Sequence, residues 1–248
     1  MVLAAGKGTR LKPLTDIIPK ALVPVADKPL IQIVLDRLTE AGVNSVVVNV
    51  HHHAAQIRNF VRLASHSYNF PICISDETQE LLETGGAIKK ARQLFDLRKP
   101  ILIHNVDILS NVDLSDFYRQ SLTNDATLLV SSRKTKRYLL FNQDMQLVGW
   151  TNIETGEVKS PYPNVQELAK YQYAFSGIHS FSPNLFPLMD QWPDRFSIID
   201  FYLQACAKTK IKGVLKENLK LLDVGKLDTL QHLQTTVKDD LSNWINFN

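Results

Sequence analysis

The sequence predicts an α/β fold with a mostly parallel central sheet that is covered by helices on both faces. Short apolar segments rich in β-branched residues alternate with stretches whose apolar residues recur at helical spacing. A glycine-rich loop follows the first apolar segment, and polar or acidic residues follow several of the others. This alternation is typical of βαβ units, in which ligands bind at the carboxyl ends of parallel strands.

The first half of the chain carries the repeated strand-and-helix pattern. Apolar segments predict buried strands over 2–5, 45–50, 70–75, 100–105 and 126–132. Helical periodicity predicts helices over 30–41, 57–64, 87–95 and 114–122. Gly42 stands where a glycine commonly ends a helix.

The second half has a different pattern. A hairpin over 138–150 and a long polar loop over 151–170 precede a strand over 171–181. Helices are predicted over 184–192, 198–208 and 227–241, and strands over 211–216 and 219–223. The sequence shows no internal repeat and no clear linker, so we interpret the chain as one domain over 1–248.

Composition excludes several classes of partner. A formal net charge of +3 without a dense Lys/Arg block argues against nucleic acid. No apolar run approaches the roughly 20 residues that a membrane helix needs, so no membrane partner is expected. The two cysteines, Cys73 and Cys206, lack metal-type spacing and indicate a reducing compartment. We therefore expect a cytoplasmic protein, and the sequence leaves its oligomeric state open.

The strongest functional signal is the segment over 3–25, in which a glycine loop and two cations follow a strand. Gly6 and Gly8 let backbone amides approach phosphate oxygens. Arg10 can bind a phosphate through two N–H groups, and Lys20 supplies a compact positive charge. The dinucleotide fingerprint is excluded because Leu11 replaces its third glycine, and the P-loop spacing is absent.

Over its full length, this segment resembles the signature of the sugar-1-phosphate nucleotidyltransferases. Further resemblance lies at 82–88, 105–107, 175–178 and 222–225. Within this family, the sequence most resembles short single-domain members, namely the N-acetylmuramate 1-phosphate uridylyltransferases and the mannose-1-phosphate guanylyltransferase-like proteins. The resemblance implies a Rossmann-like, glycosyltransferase-A-like fold, with a nucleotide-binding half over about 1–132 and a sugar-binding half over about 133–248.

The resemblance also implies roles for individual residues. Arg10, Lys20 and Asp107 would be catalytic, and Asp107 and Asp223 would hold Mg²⁺ through carboxylate oxygens. Residues implied to bind the nucleotide are Leu3, Ala5, Gly6, Lys7, Gly8, Thr9, Arg10, Lys20, Thr84, Gly85 and Gly86. Residues implied to bind the sugar are Asn105, Glu167, Lys170 and Gly177.

The implied reaction is in-line transfer of a nucleotidyl group from a nucleoside triphosphate to a sugar 1-phosphate, with release of pyrophosphate. UTP or GTP is favoured as the triphosphate. Both reactants are anions, so positioning and charge neutralisation should supply most of the rate. Val106 departs from the glycine usual in this family between Asn105 and Asp107, and its branched side chain adds bulk beside the implied metal.

Other functions are also compatible with parts of the sequence. A cytidylyltransferase acting on phosphocholine or a similar phosphorylated alcohol would suit the Lys20 segment equally well. A non-catalytic nucleotide-sensing subunit would be expected to lose the cations and carboxylates named above, which are all present. A nicotinamide dehydrogenase is disfavoured because His51 stands where an acidic residue should end the second strand. We interpret His51-His52-His53 as a strand-to-helix turn, since adjacent side chains point in different directions.

Overall fold

The computed structural model describes residues 1–236, and its strands and helices alternate along most of the chain. The strands are β1 (Val2–Leu3), β2 (Pro24–Val25), β3 (Lys28–Pro29), β4 (Val46–Val50), β5 (Ile72–Asp76), β6 (Ile101–Asn105), β7 (Ile108–Ser110), β8 (Ala126–Ser131), β9 (Arg137–Phe141), β10 (Leu147–Asn152), β11 (Glu157–Lys159), β12 (Tyr171–Phe181), β13 (Ile211–Leu215) and β14 (Leu221–Asp223). The helices are α1 (Leu30–Glu40), α2 (Ala54–Ala64), α3 (Glu83–Lys90), α4 (Leu114–Ser121), α5 (Val165–Leu168), α6 (Phe186–Met189), α7 (Ile198–Ala205) and α8 (Leu227–Thr236).

Ten of the strands form one mixed sheet, with the order β11-β10-β9-β12-β6-β1-β4-β5 and with β8 pairing both β12 and β13. Strands β5, β4, β1 and β6 are parallel to one another. Strand β12 is antiparallel to β6 and joins this parallel part to the strands of the second half. The structure confirms the predicted α/β class, with a central sheet that helices flank.

Two apolar clusters cover the two faces of the sheet. Alternate residues of β4 reach different clusters, because successive side chains of a strand point to opposite faces. Val48 packs in the cluster that includes the buried residues of α1, whereas Val47 packs in the cluster that includes those of α3 and α7. Helices therefore cover both faces of the sheet, so a binding site is expected where the strands end rather than on a face.

The carboxyl ends of β1 and β6 lie side by side. Leu3 pairs with Asn105, so the glycine loop and the Asn105-Val106-Asp107 segment leave the sheet together. Ile178 of β12 lies opposite His104, and because β12 runs in the other direction, its earlier residues extend beyond the end of β6. The first residues of β12 therefore project at the same end of the sheet's strands as the glycine loop.

Three predictions from the sequence need correction or qualification. The predicted loop over 151–170 contains β11 and α5; β11 is an edge strand whose residues are all exposed, so it lacks the alternation that marks a strand. Helix α3 begins at Glu83, so Gly85 and Gly86 belong to its first turn rather than to a turn before it. The closing helix starts at Leu227 as predicted, while its predicted part beyond 236 lies outside the described residues.

Within residues 1–236, no helix combines the length and the apolar character that crossing a membrane requires.

Candidate active site

A cleft of about 370 Å³ opens at the carboxyl ends of β1, β4 and β6. Five separate parts of the chain form most of its wall, together with one residue that precedes α7. The lining residues are Leu3, Ala4, Ala5, Gly6, Lys20, Asn49, Leu81, Glu83, Thr84, Asn105, Val106, Asp107 and Ser197. The cleft thus brings together the glycine loop, Lys20 and Asp107, which the sequence places far apart.

Lys20 and Asp107 form an ion pair on the wall of this cleft. Their side chains are only 13% and 15% exposed, so the pair is largely removed from solvent. Lys20 begins a 3₁₀ turn (Lys20–Leu22), and Asp107 lies in the tight turn between β6 and β7. A compact ammonium group and a carboxylate therefore face the same cleft, and at this low exposure their charges interact more strongly than in bulk water.

Asp223 comes to the same place through pairing of the two-stranded sheet formed by β7 and β14. Asp223 lies opposite Ile108, and the amide of Val224 donates to the carbonyl oxygen of Asp107 at 2.9 Å. The guanidinium of Arg10 lies 3.6 Å from Asp223, with the Arg10 side chain 55% exposed. A second cation and a second carboxylate thus lie next to the first pair.

Gly225 shows how closely these charged groups converge. A Cβ atom placed on Gly225 would lie 2.7 Å from Arg10 Nη2, 2.7 Å from Asp223 Oδ1 and 2.8 Å from Lys20 Nζ. The backbone amide of Gly225 also donates to Asp223 Oδ1 at 2.9 Å. Only a residue without a side chain leaves these three ends in their present positions.

We expect Gly225→Ala to lower turnover by about 10- to 100-fold without changing the melting temperature appreciably. The added methyl group would displace the ends of three flexible side chains, which can move at little cost to the fold. Steady-state kinetics and thermal denaturation measure the two effects. Gly156→Ala is the control, because nothing lies within 4 Å of its Cβ position and its left-handed backbone strain would affect stability alone.

The glycine loop is held by residues that the sequence did not single out as functional. Gly8 has a φ of +63°, and the Oγ1 of buried Thr15 donates to its carbonyl oxygen at 2.9 Å. The carbonyl of Thr15 in turn accepts from His52 Nε2 at 3.1 Å. His51, His52 and His53 do form the predicted strand-to-helix turn between β4 and α2, but they are partly buried rather than fully solvated.

Gly85 and Gly86, which are predicted to contact the nucleotide, directly follow the cleft residue Thr84 but do not themselves line the cleft. Both amides donate to the carbonyl oxygen of Phe196, at 2.9 and 3.3 Å. A Cβ atom on Gly85 would overlap the ring of Phe196, and one on Gly86 would overlap the carbonyl oxygen of Asp194. These glycines allow α3 to pack closely on the segment before α7, and Leu81, Glu83 and Thr84 line the cleft instead.

We expect Gly86→Ala to destabilise the protein by about 3 kcal/mol, as measured by urea denaturation. The added methyl would meet a backbone carbonyl of another segment, so the chain itself would have to move. Gly6→Ala is the matched control: its Cβ would have no neighbour within 4 Å, and we expect its stability to change by less than about 0.5 kcal/mol. Equal stability of the two variants would show that the close packing of α3 contributes nothing.

The residues predicted to bind the sugar fall into two groups. Asn105 lines the cleft, and Gly177 packs against it, because a Cβ atom on Gly177 would lie 3.0 Å from Asn105 Nδ2. Glu167 and Lys170 are exposed and do not line the cleft. Lys170 precedes Gly177 by seven residues, about 20 Å along an extended strand, so the sugar contacts predicted for Glu167 and Lys170 stay a prediction.

Among the other predicted nucleotide contacts, Leu3, Ala5 and Gly6 line the cleft, while Lys7 and Thr9 lie on the exposed side of the loop. The structure adds Asn49 and Ser197 to the wall. Asn49 is a polar residue inside the otherwise apolar segment over 45–50, and this was the one signal in the sequence that could have identified it.

The two carboxylates could hold a hard divalent cation. Asp107 and Asp223 offer oxygen donors from adjacent backbone segments, and a cationic side chain now faces each of them. Within the described residues, no group of three or more His, Cys, Asp or Glu side chains could hold a metal. A metal at this position would therefore need further oxygen ligands from a substrate or from water, as Mg²⁺ commonly has.

Comparison with known proteins gives a family and several relatives. Residues 1–240 match the family model described as nucleotidyl transferase. The chain is 49% identical over 108 residues to an N-acetylmuramate alpha-1-phosphate uridylyltransferase of Caulobacter vibrioides, a match that covers 43% of this chain and 44% of that protein. It is 31% identical over 134 residues to a mannose-1-phosphate guanyltransferase of Gibberella zeae, covering 53% and 36% of the two chains. The matches thus span less than half the length of these relatives.

A solved structure shows the same fold over the whole chain. A UDP-glucose pyrophosphorylase from Acinetobacter baumanii superposes with a TM-score of 0.77 at 16% identity, covering 98% of this chain and 94% of that one. At this level of identity the likeness concerns the fold, and it confirms the predicted nucleotidyltransferase architecture.

Proposed function

The chain belongs to the nucleotidyl transferase family, and from that premise we propose that it transfers a nucleotidyl group from a nucleoside triphosphate to a sugar 1-phosphate, with release of pyrophosphate. The observation that carries this proposal is the convergence of Arg10, Lys20, Asp107 and Asp223 at one end of the cleft. Two cations beside a glycine loop suit a reaction between two phosphorylated anions.

UTP is the preferred nucleotide in this proposal, and an amino sugar 1-phosphate of the N-acetylmuramate type is the preferred acceptor. The support is the 49% identity to a uridylyltransferase of that name. GTP is the second choice, supported by the mannose-1-phosphate guanyltransferase relative. The nucleotide would occupy the half over about 1–132 and the sugar the half over about 133–248.

The glycine loop and Arg10 would bind the β- and γ-phosphates. Gly6 lies on the cleft wall, and the left-handed backbone at Gly8 turns the loop back toward Lys20. Arg10, which is the more exposed cation, would neutralise the departing pyrophosphate. Lys20 would neutralise the α-phosphate, which the sugar phosphate oxygen attacks in line, so no protein nucleophile is needed.

Asp107 and Asp223 fit the family's divalent metal because each offers carboxylate oxygen beside the place where the phosphates would lie. When bound, Mg²⁺ would supply Lewis-acid stabilisation of charge on the phosphate oxygens. In the structure these carboxylates instead pair with Lys20 and Arg10. The same two carboxylates therefore hold the cations in place before the substrates enter.

The base would lie against the segment over 81–84, directly before Gly85 and Gly86. Leu81, Glu83 and Thr84 line the cleft, and Thr84 is fixed because its Oγ1 accepts from the amide of Ile198 at 2.9 Å. Glu83 has a φ of +61°, which is uncommon for a residue with a side chain and marks a backbone that its surroundings force into position. Amides in the first turn of a helix lack acceptors within the helix and can bind a ligand.

The proposal is tested by measuring pyrophosphate release with UTP, GTP, CTP, ATP and dTTP, each against a panel of sugar 1-phosphates and phosphocholine. We expect release that requires one triphosphate, one sugar 1-phosphate and Mg²⁺ together, and that EDTA stops. Release only with CTP and phosphocholine would replace the sugar by a phosphorylated alcohol. Triphosphate binding without release from any pair would contradict an enzymatic role and indicate a nucleotide sensor.

A further inference from the structure

A buried carboxylate behind the cleft has no part in the proposed reaction. Glu77, directly after β5, is 0% exposed, and no salt bridge reaches it among the described residues. Burial raises the pKa of Glu77, while hydrogen bonds from Asn49 and Leu82 oppose that rise. Burying an acid that has no salt bridge costs free energy, and the hydrogen bonds that Glu77 accepts offset part of this cost.

Both oxygens of Glu77 accept hydrogen bonds from groups next to the cleft. Asn49 Nδ2 donates to Oε1 at 2.8 Å, and the amide of Leu82 donates to Oε2 at 3.2 Å. The other end of the Asn49 side chain accepts from the amide of Ala4 at 2.7 Å. A continuous chain of hydrogen bonds thus runs from the backbone of Ala4 through Asn49 and Glu77 to the backbone of Leu82.

This chain of hydrogen bonds connects two parts of the cleft wall that are far apart in the sequence. Ala4 leads into the glycine loop, and Leu82 immediately precedes Glu83, whose left-handed backbone begins α3. Glu77 itself is anchored, since its amide donates to Val50 and its carbonyl accepts from His51 Nδ1 at 2.7 Å. The carboxylate of Glu77 thus links the phosphate end of the cleft to the segment over 81–84.

The side chain at position 77 must accept a hydrogen bond at each of its two ends, one from Asn49 and one from Leu82. Asn49 cannot turn its amide around, because its oxygen already accepts from Ala4. A glutamine at position 77 could accept from Leu82, but its amide would then face the Asn49 amide, and two donors would meet in a buried site.

We infer that Glu77 is a positioning residue that, through Asn49 and Leu82, sets the base-contacting segment relative to the glycine loop and thereby determines nucleobase selectivity. This inference rests on the proposed function, since it requires that the segment over 81–84 contacts the base. A merely structural role for Glu77 would change the amount of folded protein but not the preference of each folded molecule.

The test is the ratio of kcat/KM for UTP to that for GTP, because this ratio does not depend on the fraction of active enzyme. We expect Glu77→Gln to change the ratio by about tenfold and to leave the KM for the sugar 1-phosphate unchanged. Glu80→Gln is the matched control: Glu80 is exposed in the same segment, so its ratio should stay within about twofold of the starting value.

A double variant tests the hydrogen-bond chain itself. In Asn49→Asp combined with Glu77→Gln, the aspartate would accept from Ala4 and from the glutamine amide, and the glutamine oxygen would accept from Leu82. We expect this variant to restore the original ratio, since every donor again has an acceptor. If Glu77→Gln alone does not fold, the ratio can still be measured on this double variant.

An unchanged ratio in folded Glu77→Gln would overturn the inference, and so would a double variant that does not fold or does not restore the ratio. If the unmodified protein shows no turnover with any pair, the proposed function fails separately. Dissociation constants for Mg²⁺-UTP and Mg²⁺-GTP, measured by calorimetry on the same variants, then give the ratio without turnover. The inference predicts the same change and the same recovery in that ratio.

Discussion

Replacing Asp107 by alanine is expected to reduce turnover by about a thousandfold or more. Asp107 lies on the cleft wall, is only 15% exposed, and is the counter-ion of Lys20. Its removal takes away both a proposed metal ligand and the group that holds the lysine in place. No other carboxylate among the described residues occupies this end of the cleft except Asp223, which already faces Arg10.

The measurement is single-turnover pyrophosphate release at saturating triphosphate, with thermal denaturation to verify the fold. Asp107→Asn keeps the shape and one acceptor oxygen while it removes the charge, and we expect it to be almost as inactive. Asp144→Ala is the matched control, because Asp144 is exposed in the β9–β10 hairpin. Activity of Asp107→Ala close to that of Asp144→Ala would refute the assignment of this cleft as the catalytic site.

Lys20→Met is expected to lower kcat/KM by about a hundred- to a thousandfold. Methionine keeps much of the length and apolar body of the lysine but removes its charge. The lost charge is the one proposed to neutralise the α-phosphate, and it lies close to Arg10 and Asp223 beside Gly225. The effect should appear mainly in kcat, because the interaction grows as charge develops on the reacting phosphate.

Lys12→Met provides the comparison for this experiment. Lys12 belongs to the same loop but is 58% exposed and pairs with Asp16 on the surface, an interaction of small energy. We expect its kcat/KM to stay within about twofold of the unmodified protein. Similar losses in both variants would mean that the loop contributes only a general positive potential, and Lys20 would lose its specific role.

The sequence predicted well those elements that depend on residues close together in the chain. The strand over 171–181 was predicted with the bounds that the structure gives it, and the strands at 45–50 and 100–105 differ from theirs by a single residue. Periodic burial and local turn geometry determine these elements, and neighbouring residues record both directly. The segment over 3–25 was equally informative, because a strand, a glycine turn and a following cation are all local features.

Local patterns in the sequence do not show which distant segments meet. The family resemblance implied that Asp107 and Asp223 share a metal, and the structure gives the reason that they meet: β14 pairs with β7, more than a hundred residues earlier in the chain. Gly85 and Gly86 are predicted to contact the nucleotide, and the structure adds that they allow α3 to pack against Phe196. Glu167 and Lys170 are predicted to contact the sugar, and the structure shows only that they are exposed and do not line the cleft.

The sequence by itself therefore determined the α/β class, the order of most elements and the residues whose chemistry suits phosphate transfer. Only the tertiary structure decided which cation pairs with which carboxylate among Arg10, Lys20, Asp107 and Asp223, and that Glu77 bridges Ala4 and Leu82 through Asn49. The physical reason is that backbone preference and burial leave a periodic pattern along the chain. Contacts between distant segments arise from packing and hydrogen bonding in three dimensions, and these leave no such pattern in one sequence.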